Sequence, residues 1–263
     1  MNTSKVEEYI VQWLIDYKNQ NNVNGYIIGI SGGVDSAVTS TLCAKTGLRT
    51  LCLDMPIIQA LSEHSRAKNH IKWLKEKFGS WIYSEQIDLS SVLKEFEKIL
   101  PEEKIKLLKT HALANTRARL RMTALYYFAS LNNYVVVGTG NKVEDFGIGF
   151  YTKYGDGGVD ISPIADLTKS EVYKLAKHLK ILNEIIKAKP TDGLWNDNRT
   201  DEDQIGASYH EIEWAMQQKE SGKKIRDFKY REKEVFEIFE KFNSNNQHKM
   251  KSIPICKIPN KLK

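Results

Sequence analysis

Eight consecutive residues, Gly29-Ile30-Ser31-Gly32-Gly33-Val34-Asp35-Ser36, carry the sharpest chemical signal in the chain. They follow a short apolar run, Tyr26 to Ser31, and open a segment that reads as helix from about Asp35 to Lys45. Paired glycines let a backbone turn tightly and approach an anion without Cβ clashes. The helix that follows offers unpaired N–H groups and the positive end of its dipole. Ser31 and Ser36 add hydroxyl donors, so the stretch suits a pyrophosphate. The Lys-Ser/Thr ending of a Walker A loop is absent, and so is the dinucleotide G-x-G-x-x-G. Asp35 would repel a phosphate, unless it holds Mg²⁺ bridging to the phosphate oxygens.

Such a loop must be held by a scaffold, and the apolar pattern predicts one. Residues 3–20 read as an amphipathic helix, with Val6, Tyr9, Ile10, Trp13 and Tyr17 on one stripe. Leu48–Met55, Trp81–Leu89 and Tyr134–Val137 read as further strands. Helices are expected over Leu61–Phe78, Ser90–Leu100 and Lys104–Leu131. Strand–helix alternation implies a parallel sheet covered on both faces. The expected fold is α/β, a doubly wound parallel sheet of about five strands. Beyond Asp145 a Gly- and aromatic-rich stretch without period reads as a functional loop. Helices resume at Lys169–Leu179 and near Asn183–Ala188, followed by a polar loop over 189–204. Two more helices, Glu202–Lys219 and Asp227–Phe242, precede an extended tail. The expectation is a single domain over 1–263, with a core at about 3–190. A substrate loop, helices and basic tail fill about 191–263.

The loop SGGVDS resembles that of the ATP pyrophosphatases, which split ATP into AMP and pyrophosphate to adenylate a substrate. Four later segments resemble one branch, the ammonia-dependent NAD synthetases. They are Asn115 to Met122 (NTRARLRM), Gly138 to Glu144 (GTGNKVE), Phe150 to Asp160 (FYTKYGDGGVD), and Pro190 to Trp195 with Thr200-Asp201-Glu202. The match covers roughly residues 5–255. No nitrilase-type N-terminal domain accompanies it, which points to the ammonia-using form.

The resemblance implies an adenine nucleotide alpha hydrolase-like fold with a helical C-terminal extension. It implies that ATP, deamido-NAD and ammonia give NAD, AMP and pyrophosphate through an acyl-adenylate, with Mg²⁺ as cofactor. ATP contacts fall on Gly29 to Ser36, Thr139, Lys169 and Thr191. Deamido-NAD contacts fall on Arg119, Lys153, Asp160, His248 and Lys249. Met250 stands where many relatives carry Arg. Asp35 and Glu144 form the Mg²⁺ pair, at the ends of two strands expected to be neighbours. Arg119 points about 200° from Arg117 on its helix, so the three arginines 117, 119 and 121 cannot serve one ligand. Lys169 starts a helix, where the dipole disfavours a cation; a bound polyphosphate would offset that. Ammonium must lose a proton before it attacks, and Asp156 is the candidate acceptor. Trp195 and the 189–204 loop are expected to close over the site and exclude water. Family members are homodimers.

Composition bounds the alternatives. The chain has 263 residues with 41% apolar and 27% charged, ordinary for a globular protein. No apolar run approaches the roughly 18–20 residues of a membrane span, and the N-terminus does not read as a secretory signal. Cys43, Cys52 and Cys256 are too scattered for a zinc site or a disulfide framework, so a cytoplasmic location with reduced thiols is expected. The net charge of +6 lies entirely after residue 218, where 13 Lys/Arg face 6 Asp/Glu. Those charges interleave as on a solvated helix, so small anionic substrates are expected as partners, with neither nucleic acid nor membrane. One rival is a tRNA-modifying ATP pyrophosphatase using the basic tail for RNA. Another is a nucleotide-binding module without turnover.

Overall fold

The computed structural model describes residues 1–58, 61–191 and 200–263, side chains 61–64 excepted. Strands β1 (Gly25–Gly29), β2 (Arg49–Asp54), β3 (Ile82–Gln86) and β4 (Tyr134–Val136) form one parallel sheet in the order β3-β2-β1-β4. Side-chain alternation splits the core in two. Tyr26, Ile28, Cys52 and Val135 point into one apolar layer. Ile27, Leu51, Leu53 and Val136 point into the other. Period two along strands buried on both faces is what a doubly covered sheet requires.

Helices α1 (Thr3–Asn21), α2 (Val34–Lys45), α3 (Leu61–Phe78) and α6 (Lys169–His178) cover the first face, with the short α7 (Asn183–Ile186) beside them. The Tyr26 hydroxyl donates to the Leu14 carbonyl at 2.5 Å, which ties α1 to the central strand. Helices α4 (Ser90–Lys98) and α5 (Lys106–Asn132) cover the second face. A third apolar cluster joins a π-helical turn, Lys142–Ile148, to α8 (Asp201–Ile205), α9 (Tyr209–Glu220) and α10 (Tyr230–Asn245). The chain ends in α11 (Gln247–Met250) and an exposed tail.

Two expectations are corrected. The sheet has four strands rather than five: the segment after Val159 makes one isolated bridge, Val137 to Ile161. The Asp160 carboxylate itself takes the Val136 N–H at 2.9 Å, and Pro163 has no N–H to extend a ladder. The helix expected over 202–219 is two helices. Gly206, at φ +84°, ends α8, and Ser208 opens α9 with a capping box to Glu211. The buried Cys43 and Cys52 and the exposed Cys256 are free thiols.

The strand order reverses between β1 and β4, and a ligand crevice belongs at that switch point, beyond the carboxyl ends. The phosphate loop leaves β1 there. One contact sets the register of α3 against α2 behind it. His70, fully buried, lies 2.9 Å from the Ser40 hydroxyl through Nε2 and stacks on Trp73. Ser40 already donates to the Ser36 carbonyl at 2.7 Å, so Nε2 carries the proton. Burial lowers the His70 pKa from 6.5 to about 4. Between those values the unfolded chain binds a proton that the folded one does not, so stability falls on acidification. We expect His70→Gln to lose about 2 kcal/mol less than the parent between pH 7 and pH 5, as read by urea unfolding. Equal losses would refute the assignment.

Candidate active site

A cavity of about 750 Å³ opens at the switch point, within the roughly 300–1,000 Å³ of small-molecule sites. Its walls come from the loop after β1, the segment after β4, one stripe of α5 and the start of α6. Ala114, Ala118, Met122 and Leu125 form that stripe at helical spacing. Gly32 sits at φ +81°, the left-handed turn that glycine allows. Ser31 Oγ lies 3.0 Å from Ser36 Oγ, which donates to the Gly33 carbonyl at 3.0 Å, so the serines shape the loop.

At the cavity floor Lys169 bridges the two expected metal ligands. Its Nζ donates to Asp35 Oδ2 at 2.6 Å and Glu144 Oε1 at 2.8 Å. The Lys169 side chain is only 4% exposed. Asn141, fully buried, donates to Asp35 Oδ1 at 3.0 Å and accepts from the Val143 and Glu144 N–H groups at 3.1 Å. Tyr209 donates to Glu144 Oε1 at 2.6 Å and also contacts buried Asp201. A Cβ on Gly140 would lie 1.9 Å from Asp145 Oδ2, so the strand end must be glycine for the turn to tuck under it. The dipole conflict expected at Lys169 is met by the two carboxylates, with Thr168 capping the helix.

The electrostatics follow from burial. Desolvation raises the Asp35 pKa and Glu144 adds to this, against the pull of Lys169. Burial also pushes Glu144 up, but the Lys169 charge and donors from Lys169, Tyr209 and Asn141 hold it below the usual range. For Lys169, burial is outweighed by the two carboxylates, and its pKa rises. Burial, then Glu144, Asp156 and Asp35, push Asp145 well up. Asp156 opens onto the cavity but is ringed by protein, which raises its pKa; the Thr152 N–H, 2.9 Å from Oδ1, opposes this.

Most of the expected site residues meet here. Gly29, Ile30, Ser31, Gly33, Val34, Asp35, Ser36, Thr139, Lys169, Thr191, Arg119, Lys153, His248, Lys249, Glu144 and Asp156 all line the cavity. Gly32 is buried within the loop. Asp160 is outside the wall: Tyr126 donates to it at 2.8 Å, and it caps β4. Arg121 joins Arg119 in the wall, its Nε donating to the Met55 carbonyl at 3.0 Å; Arg117 is not in the wall. Lys153 donates to the His248 carbonyl, and Lys249 to the Gly149 and Tyr151 carbonyls at 2.9 and 2.8 Å. Trp195 lies outside the described residues. Sequence reading missed Asn141, Tyr209, Asp201 and Arg66. Asn141 and Asp201 carry a local signal, each falling in a family-like segment, and Asn141 is also an Asn at a helical N-cap.

Removing one member of a buried ion cluster strands the others. We expect Lys169→Met to cost about 3–5 kcal/mol in denaturant unfolding. A loss below about 1 kcal/mol, the range of exposed pairs, would contradict the geometry.

Asp35 and Glu144 fit a hard divalent cation: two carboxylates with oriented oxygens, from the helical turns that follow the adjacent strands β1 and β4. Mg²⁺ is commonly held by one or two carboxylates plus substrate phosphates. No group of three or more His, Cys, Asp or Glu among the described residues offers an all-protein metal cage.

The sequence profile described as NAD synthase matches residues 6–253. An NH(3)-dependent NAD(+) synthetase of Carboxydothermus hydrogenoformans is 37% identical, over 87% of this chain and 91% of its own. One from Methanosarcina acetivorans is 34% identical, over 97% and 98%. Among solved structures, the NMN synthetase of Francisella tularensis superposes with a TM-score of 0.82 at 30% identity, covering 99% of both chains. The NH3-dependent NAD synthetase of Campylobacter jejuni superposes with a TM-score of 0.77 at 26% identity, over 98% and 100%. A phosphate loop, a lysine-bridged carboxylate pair at the switch point and a profile match over nearly the whole chain converge: the chain belongs to the NAD synthase family.

Proposed function

We propose that this chain is an ammonia-dependent NAD synthetase, a ligase that amidates deamido-NAD using ATP. The observation that carries the reading is the joining, in one cavity, of the phosphate loop with the Asp35–Lys169–Glu144 cluster and the Arg119–Lys153–His248 wall. The nicotinate carboxylate attacks the α-phosphorus, pyrophosphate leaves, and ammonia then displaces AMP from the acyl-adenylate. Two anions must meet in the first step, so placement and charge neutralisation dominate. Mg²⁺ held by Asp35 and Glu144 would neutralise charge on the phosphate oxygens. Asn141 and Tyr209 keep the two carboxylates aimed at one point. Thr139, Lys169 and Thr191 serve ATP, and Arg119, Lys153, His248 and Lys249 serve deamido-NAD, while Asp160, outside the wall, braces β4 and Tyr126 behind them. In the second step the carboxylates of Glu144 and Asp156, both in the cavity wall, attract ammonium. Asp156, its pKa raised, takes the proton.

One domain over 1–263 does this work in the cytoplasm, as a homodimer. No described helix is long and apolar enough to cross a membrane. Tyr127 and Leu131, one turn apart on α5 and 61% and 65% exposed, support assigning the subunit interface to this face. We expect Leu131→Glu to shift the sedimentation coefficient to that of a monomer; an unchanged dimer would move the interface elsewhere.

A second reading changes only the acceptor, to nicotinic acid mononucleotide, and the similarity to an NMN synthetase favours it. Pyrophosphate release from Mg-ATP with each acid and ammonium chloride separates the two. NAD formed one-for-one with pyrophosphate from the dinucleotide supports the first reading, and preference for the mononucleotide supports the second. Release with neither acid refutes both. Asp156→Asn should lower amide formation about 10²-fold or more and leave pyrophosphate–ATP exchange intact. Unchanged turnover at saturating ammonia would remove Asp156 from the mechanism.

A further inference from the structure

The phosphate loop is short of positive charge. Its Ser31 N–H donates to Ser36 Oγ at 3.3 Å, and its Gly33 N–H to Ser31 Oγ at 3.2 Å. The nearest buried cation, Lys169, is clasped between Asp35 and Glu144, and the three together carry a net negative charge. A triphosphate entering this loop needs a counter-charge that the loop does not supply.

Arg66 on α3 supplies it. Its Nε donates to the Gly32 carbonyl at 3.3 Å, and its side chain lines the cavity. Among the described residues, no other side chain cation donates to a carbonyl of this loop, and neither Nη group of Arg66 has a protein partner. Its position is set from behind. His70, one turn further along α3, is locked to Ser40 of α2, so α3 cannot slide relative to the helix that starts at the loop. The left-handed turn at Gly32 sets the carbonyl that Nε holds, which fixes the guanidinium plane against the loop.

We propose that Arg66 binds the β- and γ-phosphates of ATP through its two Nη groups and holds the departing pyrophosphate. The proposal rests on the adenylation reading above. In that step the bond from the α-phosphorus to the α,β-bridging oxygen breaks, and its electron pair passes to pyrophosphate. A planar fork of donors matches this growing charge bidentately. Arg66 touches the leaving group only, which separates its role from those of Lys169 and the deamido-NAD wall.

The test uses the full chain with Arg66→Ala, Arg66→Gln and Arg66→Lys, each checked for an unchanged melting curve. Product inhibition by pyrophosphate and by AMP is measured separately. Arg66→Ala and Arg66→Gln should weaken pyrophosphate inhibition about ten- to hundred-fold, with AMP inhibition within about twofold. Arg66→Lys should recover part of the loss, because it keeps the charge without the fork. Equal weakening for AMP and pyrophosphate would mean that Arg66 only shapes the loop, and no change for either would mean that it touches neither; both overturn the proposal. Failure of the adenylation reading looks different: the parent enzyme would then show no acid-dependent exchange of pyrophosphate into ATP.

Discussion

Much of this structure turns on one ammonium group. Lys169 reaches from the first turn of α6 to two carboxylates, one in the first turn of α2 beyond β1 and one in the π-helical turn beyond β4. Those carboxylates are adjacent because β1 and β4 are paired neighbours. Without the lysine, two like charges at close quarters in a poorly hydrated floor would repel, and the strand ends would splay or neutralise. With it, the carboxylates stay together and the switch point becomes a site. A cation at a helix N-terminus is unfavourable by itself. The cluster reverses that by putting negative charge where the dipole wants it.

The second ring of contacts makes the cluster specific. Asn141 uses both ends of its amide, the NH₂ on Asp35 and the oxygen on the N–H groups of the turn that carries Glu144. Tyr209 comes from the C-terminal helices and donates to the same Glu144 oxygen as Lys169. The C-terminal helices are therefore wired to the sheet through the site as well as packed beside it. A π-helical turn, uncommon and frequent at functional sites, brings Glu144 and Asp145 in together.

Much of this was legible from the sequence, because its information was local. Glycines, serines and Asp35 in one run specify a strand-to-helix turn. Alternating β and α patterns gave three strand-to-helix units, and the Asp35–Glu144 pairing follows from where two strands end. What was not legible lay in tertiary placement. Arg66 and His70 sit on an amphipathic helix whose charges look like a solvated face, and only packing gives them partners, the Gly32 carbonyl of the loop for Arg66 and Ser40 of α2 for His70. Tyr209 reads as an apolar helix residue until its hydroxyl meets Glu144. The fifth strand failed because Asp160 takes the backbone donor that a ladder would use. The break at Gly206 and Ser208 does carry a signal, the glycine and the Ser-x-x-Glu box, set within a longer helical stripe.

The basic tail shows why net charge is a poor guide to a partner. Most of its excess is solvated, yet Lys249 of the tail and Lys153 opposite it at the site are committed to backbone carbonyls. Lys249 satisfies the Gly149 and Tyr151 carbonyls, and Lys153 satisfies that of His248. Each side thus donates a lysine to the other's backbone, and the 149–154 segment and α11 brace one another. Burial lowers the Lys249 pKa, while Asp156 across the cavity supports its charge. An anion entering the cavity at this wall would not meet loose cations. It meets ammonium groups already held in place, so little side-chain entropy remains to be lost on binding. Their alignment depends on α11 being docked, which makes that helix part of the cavity wall rather than an appendage to it.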